Sequence, residues 1–232
     1  DYPEEFFKER IHNIRRPRPD DFQIKQAVEK IKNSKKPIII SGGGVFYSDA
    51  MDELGNFAIK HNIPVTQTVM GYSTMKKDHS HFVGPIGGLG GKAANNLAKE
   101  TDLAICIGTK LADFTTGSWA NFENPEFKLV SINIARHDAN KHLAEAVIGD
   151  AKVTLTELSN AIGDWKSSDS WHKKSQVELK SWNEYVDKES GPTNQELPSY
   201  AHAVGAIYRN SDPTDIAVTA AGGLVGEVVQ VW

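Results

Sequence analysis

Lys35-Lys36-Pro37-Ile38-Ile39-Ile40-Ser41-Gly42-Gly43-Gly44-Val45 is the stretch that decides the fold. A proline opens it, three consecutive isoleucines follow, and three glycines close it. A strand with one wet face would alternate apolar and polar residues, so this unbroken β-branched run predicts a central parallel strand covered on both faces. The glycines at its carboxyl end permit a sharp turn and a close approach of backbone to whatever lies there. From Asp49 to His61, Met51, Leu54, Ala58 and Ile59 recur at helical spacing. Strand, glycine turn and helix in this order open a doubly wound α/β domain, whose ligands sit outside the carboxyl ends of the strands.

Gly42-Gly43-Gly44 departs from the G-x-G-x-x-G spacing, because Tyr47 holds the place of the third glycine. Two readings stand, a structural turn and a nucleotide cradle, and the spacing favours the turn.

The same alternation continues along the chain. A helix is expected from Asp20 or Asp21 through Lys32, and strands at residues 63–69, 102–107, 127–134 and 146–150. Short helices are expected at residues 92–99 and 138–143, and a longer one at 151–162. Strands alternating with helices imply right-handed crossovers and one parallel sheet of six or nearly six strands. Ile38, Ile39, Ile40, Ile105, Cys106, Val130 and Ile132 are the expected sheet core. Residues 70–91 read as an irregular, glycine-rich binding-loop candidate, in which His79 and His81 are expected to be exposed. The loop from Thr109 to Trp119 is a second candidate for the ligand edge.

The flanks read differently. Residues 1–19, with the run Arg15-Arg16-Pro17-Arg18-Pro19, are expected to form a solvated linker. Residues 164–197 hold a charged connecting helix over about 170–189, ended by Gly191-Pro192, with Trp165, Trp171 and Trp182 anchoring it to the domain. From Leu197-Pro198 the strand-to-glycine-turn pattern restarts: a helix at 199–209, a strand Asp215-Ile216-Ala217-Val218-Thr219, then Ala220-Ala221-Gly222-Gly223. The domain plan is therefore a linker at 1–19, an α/β domain at 20–163, a connection at 164–197, and the opening βα unit of a second α/β domain at 198–232.

Composition sets the outer limits. A formal net charge of −4 and a pI near 6.1 leave no nucleic-acid footprint. No apolar run approaches the length of a membrane span and no signal peptide opens the chain, so a cytoplasmic protein without membrane partners is expected. The single cysteine, Cys106, excludes a disulfide within the chain. The chain begins at Asp1 without methionine and stops in an apolar run at Trp232, which reads as a piece of a longer protein.

Taken together, KPIIISGGG at 36–44, GPIGGLGG at 84–91, TDLAICIG at 101–108, LADFTTGSW at 111–119, KLVSINI at 128–134 and VIGDA at 147–151 resemble the central domain of thiamine-diphosphate enzymes of the acetolactate-synthase type. Three stretches, FTTGSW at 114–119, NIARHDANKH at 133–142 and VTAAGGLVGE at 218–227, most resemble the inositol-catabolism branch of that superfamily. The resemblance implies a Rossmann-like central domain followed by the start of a diphosphate-binding domain. It implies thiamine diphosphate and Mg²⁺ as cofactors, a small-molecule substrate, a homo-oligomer, and hydrolysis of a C–C bond in a cyclic 1,2-dione. Acetolactate-type carboligation or decarboxylation, and a nucleotide-binding or structural module, are the alternative functions.

Carried over residue by residue, only Ala221, Gly222 and Gly223 fall near the expected cofactor, with no catalytic and no metal-binding residue in this chain. The resemblance places the activating glutamate and the Mg²⁺-binding motif in parts of the enzyme that these residues do not match. Relatives that bind FAD carry an aspartate pair and a proline where this chain has Asn133-Ile134-Ala135, which argues against FAD. A retained nucleotide site would involve Gly43, Gly44 and the 84–91 loop.

Overall fold

The computed structural model describes residues 1–232. Its centre is a six-stranded, all-parallel sheet in the order β3-β2-β1-β4-β5-β6. The strands are β1 (Pro37–Ser41), β2 (Val65–Gln67), β3 (Phe82–Pro85), β4 (Leu103–Ile107), β5 (Lys128–Asn133) and β6 (Glu145–Ile148). Before, between and after them lie α1 (Asp21–Asn33), α2 (Gly43–Tyr47), α3 (Met51–His61), α4 (Lys92–Glu100), α5 (Asp113–Thr116), α6 (Arg136–Ala139) and α7 (Ala151–Ile162).

The unbroken isoleucine run supplies both faces of the sheet. Ile39, in register with Ile105 and Val130, packs into one core with Leu54 and Phe57 of α3 and Leu155 and Leu158 of α7. Ile38 and Ile40, beside Ala104 and Cys106, belong to the opposite core with Leu97 of α4 and Trp171. All seven expected core residues are at most 1% exposed. Burial pushes the Cys106 thiol well above its ordinary range, so it serves as an inert packing group.

Four expectations need correction. Residues 70–91 are not irregular throughout, since Phe82–Pro85 forms the edge strand β3 beside β2. Gly84 and Pro85 hid it, and an edge is where a sheet tolerates a proline. The glycine turn after β1 opens into a short helix, α2, and the helix expected from Asp49 starts two residues later, at Met51, after Asp49 adopts a φ of 52°. His81 is buried rather than exposed, at 6%. Asp215–Thr219 forms no strand, and Ile216 and Val218 are about nine-tenths exposed. A strand must pair its backbone N–H and C=O groups, and no neighbouring strand meets these.

After the sheet comes α8 (Asp169–Glu189), then α9 (Tyr200–Arg209) and α10 (Leu224–Val231). Ser168 caps α8 by accepting from Trp171 N–H, and the Trp171 indole donates to Pro37 O at 2.8 Å. Lys36 and Lys174 both reach Glu100, and together they hold its carboxyl below the usual range.

The run before α1 is not simply solvated. Arg16 donates to both carboxylate oxygens of Asp150 at 3.1 Å and to Ser48 Oγ at 3.0 Å, and Asp150 N–H donates to Pro17 O. Asp150 also caps α7 by accepting from Lys152 and Val153 N–H. Arg18 pairs with Glu157 at 2.6 Å.

Candidate functional site

The order of the strands reverses between β1 and β4, and in such sheets the loops leaving those two strands part to leave a crevice. Here it is a cleft of about 420 Å³, with Gly43 and Gly44 on one side and Gly108 and Thr109 on the other. Phe114 and Tyr47 stand exposed at its mouth.

What the cleft offers a ligand follows from where its polar groups already point. Gly42 N–H donates to Ile107 O, Gly44 N–H to Gly108 O and Gly108 N–H to Ile132 O. The Asn133 side chain is likewise engaged, donating to Thr109 O and accepting from Ala135 N–H. These groups stitch adjacent loops together, and Gly44 and Gly108 lie backbone against backbone. Lys110 and Asp138 are the charged groups on the cleft wall.

The glycine-rich loop 84–91 forms one wall and continues outward. Ile86 lines the cleft, Gly88 N–H donates to Phe114 O at 2.7 Å, and Asn95 brackets Gly87 through its N–H and its C=O. On the far side, Leu89 O accepts from Gln230 of α10, whose own Oε1 accepts from the Trp182 indole at 2.9 Å. Trp182 thus ties α8 to α10, and it also stands beside Lys92 and Asn96 of α4, the contact with the domain that its place in a charged helix suggested. Gln230 carried no signal in the sequence, because its partners are 48 and 141 residues away.

Ala221, Gly222 and Gly223 lie exposed immediately before α10, with Gly222 at a φ of 139°. They are separate from the switch-point cleft, whose wall they do not join.

Residues 24–158 match the family described as thiamine pyrophosphate enzyme, central domain. The chain belongs to the thiamine pyrophosphate enzymes. The match spans α1 to α7 and so covers the sheet and the cleft. Among curated relatives, the 3D-(3,5/4)-trihydroxycyclohexane-1,2-dione hydrolase of Clostridium perfringens strain 13 is 36% identical over 255 aligned positions. Enzymes of the same name from Bacillus anthracis and Geobacillus thermodenitrificans are 36% and 33% identical. Each alignment takes in all of this chain but only 39–40% of the relative. The chain spans about two-fifths of the length of these relatives.

For the cofactor this family implies, the residues of this chain do not make a site on their own. No group of three or more His, Cys, Asp or Glu side chains is gathered to hold a metal ion. The exposed 221–223 turn offers backbone amides and no cation. No helix is long and apolar enough to cross a membrane.

Proposed function

We propose that the protein is a thiamine-diphosphate- and Mg²⁺-dependent hydrolase that cleaves a C–C bond of trihydroxycyclohexane-1,2-dione, giving 5-deoxy-glucuronate in myo-inositol catabolism. It works in the cytoplasm as a homo-oligomer. One observation carries this reading: relatives bearing that activity in their names align with the whole of this chain, including the 164–232 region outside the central-domain match. In this reading residues 20–163 are the structural central domain, residues 164–197 the connection, and residues 198–232 the start of the diphosphate-binding domain. The contribution of Ala221, Gly222 and Gly223 is a tight turn whose amides face the diphosphate, a role suited to glycines that bring backbone near a ligand.

The test uses the full-length gene product with thiamine diphosphate and Mg²⁺. Offered the cyclic dione, it should consume it and release the ring-opened acid. If the dione is inert and pyruvate is converted to acetolactate, the carboligase reading replaces this one.

The switch-point cleft favours a second reading of the central domain, as a nucleotide-binding module, through its place in the fold alone. Against it stand the amides of Gly44 and Gly108 and the side chain of Asn133, already spent inside the protein. Titration with FAD, NAD and ADP separates the two, and binding below about 10 μM, about −7 kcal/mol, would establish the module.

A further inference from the structure

The chain leaves the α/β domain along a seam of histidines. His61 ends α3, and its Nδ1 lies 2.9 Å from Trp165 O while its Nε2 lies 3.1 Å from Ser159 Oγ. A carbonyl only accepts, so Nδ1 carries the proton and Nε2 takes the serine hydroxyl. Asn62 follows in the left-handed region at a φ of 55°, donating from Nδ2 to Ser167 O and Asp169 Oδ1. That fixes Asn62 Oδ1 as the acceptor for His81 Nε2 at 3.1 Å, leaving His81 Nδ1 to accept from Ser80 Oγ. His79 Nδ1 accepts from His81 N–H. His81 then stacks on His172 in α8, with ring centroids 4.2 Å apart and planes 24° from parallel.

Each of His61, His79 and His81 is therefore held in one neutral tautomer whose bare nitrogen already has a donor. A second proton on His61 or His81 forces a serine hydroxyl to turn round. Protonating both members of the His81–His172 stack puts like charges face to face. The Nδ1 of His172 is buried without a partner.

The charges facing the seam give little relief. Lys60 and Lys166 lie by His61 and oppose its protonation. Asp78 faces His79 and Asp169 faces His172, and no carboxylate faces His81. Asp169 is exposed. Burial lowers all four histidines, and His81, with His172 and His79 beside it, falls to about 4.

We propose that this seam is a proton-operated clasp: protonation frees residues 164–175 from the edge of the sheet while the sheet stays folded, so that acid loosens the first turns of α8 from the α/β domain. The sign follows from linkage. Histidines lowered in the closed form bind protons more readily when open, so closure is fully supported above the ordinary histidine range, near 6.5. That support is lost as pH falls towards 4. For His81 alone, the opening equilibrium rises roughly 20-fold between about pH 7 and about pH 5.

Amide hydrogen exchange on the 232-residue chain, corrected for intrinsic rates, is the test. Protection over 164–175 should fall by roughly 20-fold or more between those pH values while β1, β4 and α7 keep theirs. His172→Phe keeps a ring on the stack without a second proton, and should reduce that loss. Equal loss across all elements would mean global acid unfolding and overturn the proposal. So would an undiminished segmental loss in a folded His172→Phe variant. If the variant does not fold, the wild-type imidazole resonances decide. Titration of His81 near 6.5 in the folded chain overturns the clasp, and titration well below that supports it.

Discussion

Gly44 and Gly108 face each other across the switch point, so close that a Cβ built on either lies 2.6 or 2.5 Å from the other's Cα. Gly108 also has a φ of +62°, in the left-handed region. Gly108→Ala should therefore destabilise the domain by about 3 kcal/mol or more, from strain plus a backbone clash. Gly84 has a φ of +91° but open space around it, so Gly84→Ala should cost only about 1–3 kcal/mol. Urea denaturation of the two variants compares them, and equal losses would show that the close approach is not what matters.

Ile39 has no exposed surface and sits in the core shared by β1, α3 and α7. Ile39→Ala should cost about 2–5 kcal/mol through lost burial and the cavity left behind. A change below about 1 kcal/mol in chemical denaturation would place the residue outside the packed interior.

Asp150 receives Arg16, Ser48 and two amides of α7 at once, and is 8% exposed. Asp150→Ala removes the carboxylate that Arg16, Ser48 and two amides share and uncaps α7, and should cost about 3 kcal/mol. Arg16→Ala alone should cost about 1–3 kcal/mol. Because the pair acts as a unit, the double variant should lose clearly less than the sum, which a double-mutant cycle by thermal unfolding measures.

Calorimetry with thiamine diphosphate and Mg²⁺ on the 232-residue chain should give a dissociation constant near millimolar or weaker, about −4 kcal/mol. The reason is the exposed 221–223 turn with no gathered metal ligands. Low-micromolar binding would place the cofactor site within these residues.

Local physics made most of the fold readable. Ile38–Ile40 announced a doubly covered strand because burial on both faces removes alternation, and Pro37 and Gly42 marked its ends. Phe82–Pro85 escaped notice because its strand character comes from pairing with β2 and not from its own residues. Arg16 was read as solvated because its partner Asp150 is 134 residues away. His81 reads as exposed because Asn62 and His172, which bury it, come from the turn after α3 and from α8. The 221–223 turn was legible only through its glycines, which mark a turn without saying what it faces.

The Trp171–Pro37 bond fixes the start of α8 at the amino edge of the sheet, and the Trp182–Gln230 contact fixes a later turn beside the 84–91 loop at the carboxyl edge. The helix is thus a ruler laid across the sheet, 21 residues or about 31 Å long. One residue inserted between Trp171 and Trp182 would advance everything beyond it by about 1.5 Å and rotate it by about 100°. The Gln230 bond would then point away from Leu89. Length in this helix should be far less tolerant of change than its side chains, most of which face solvent.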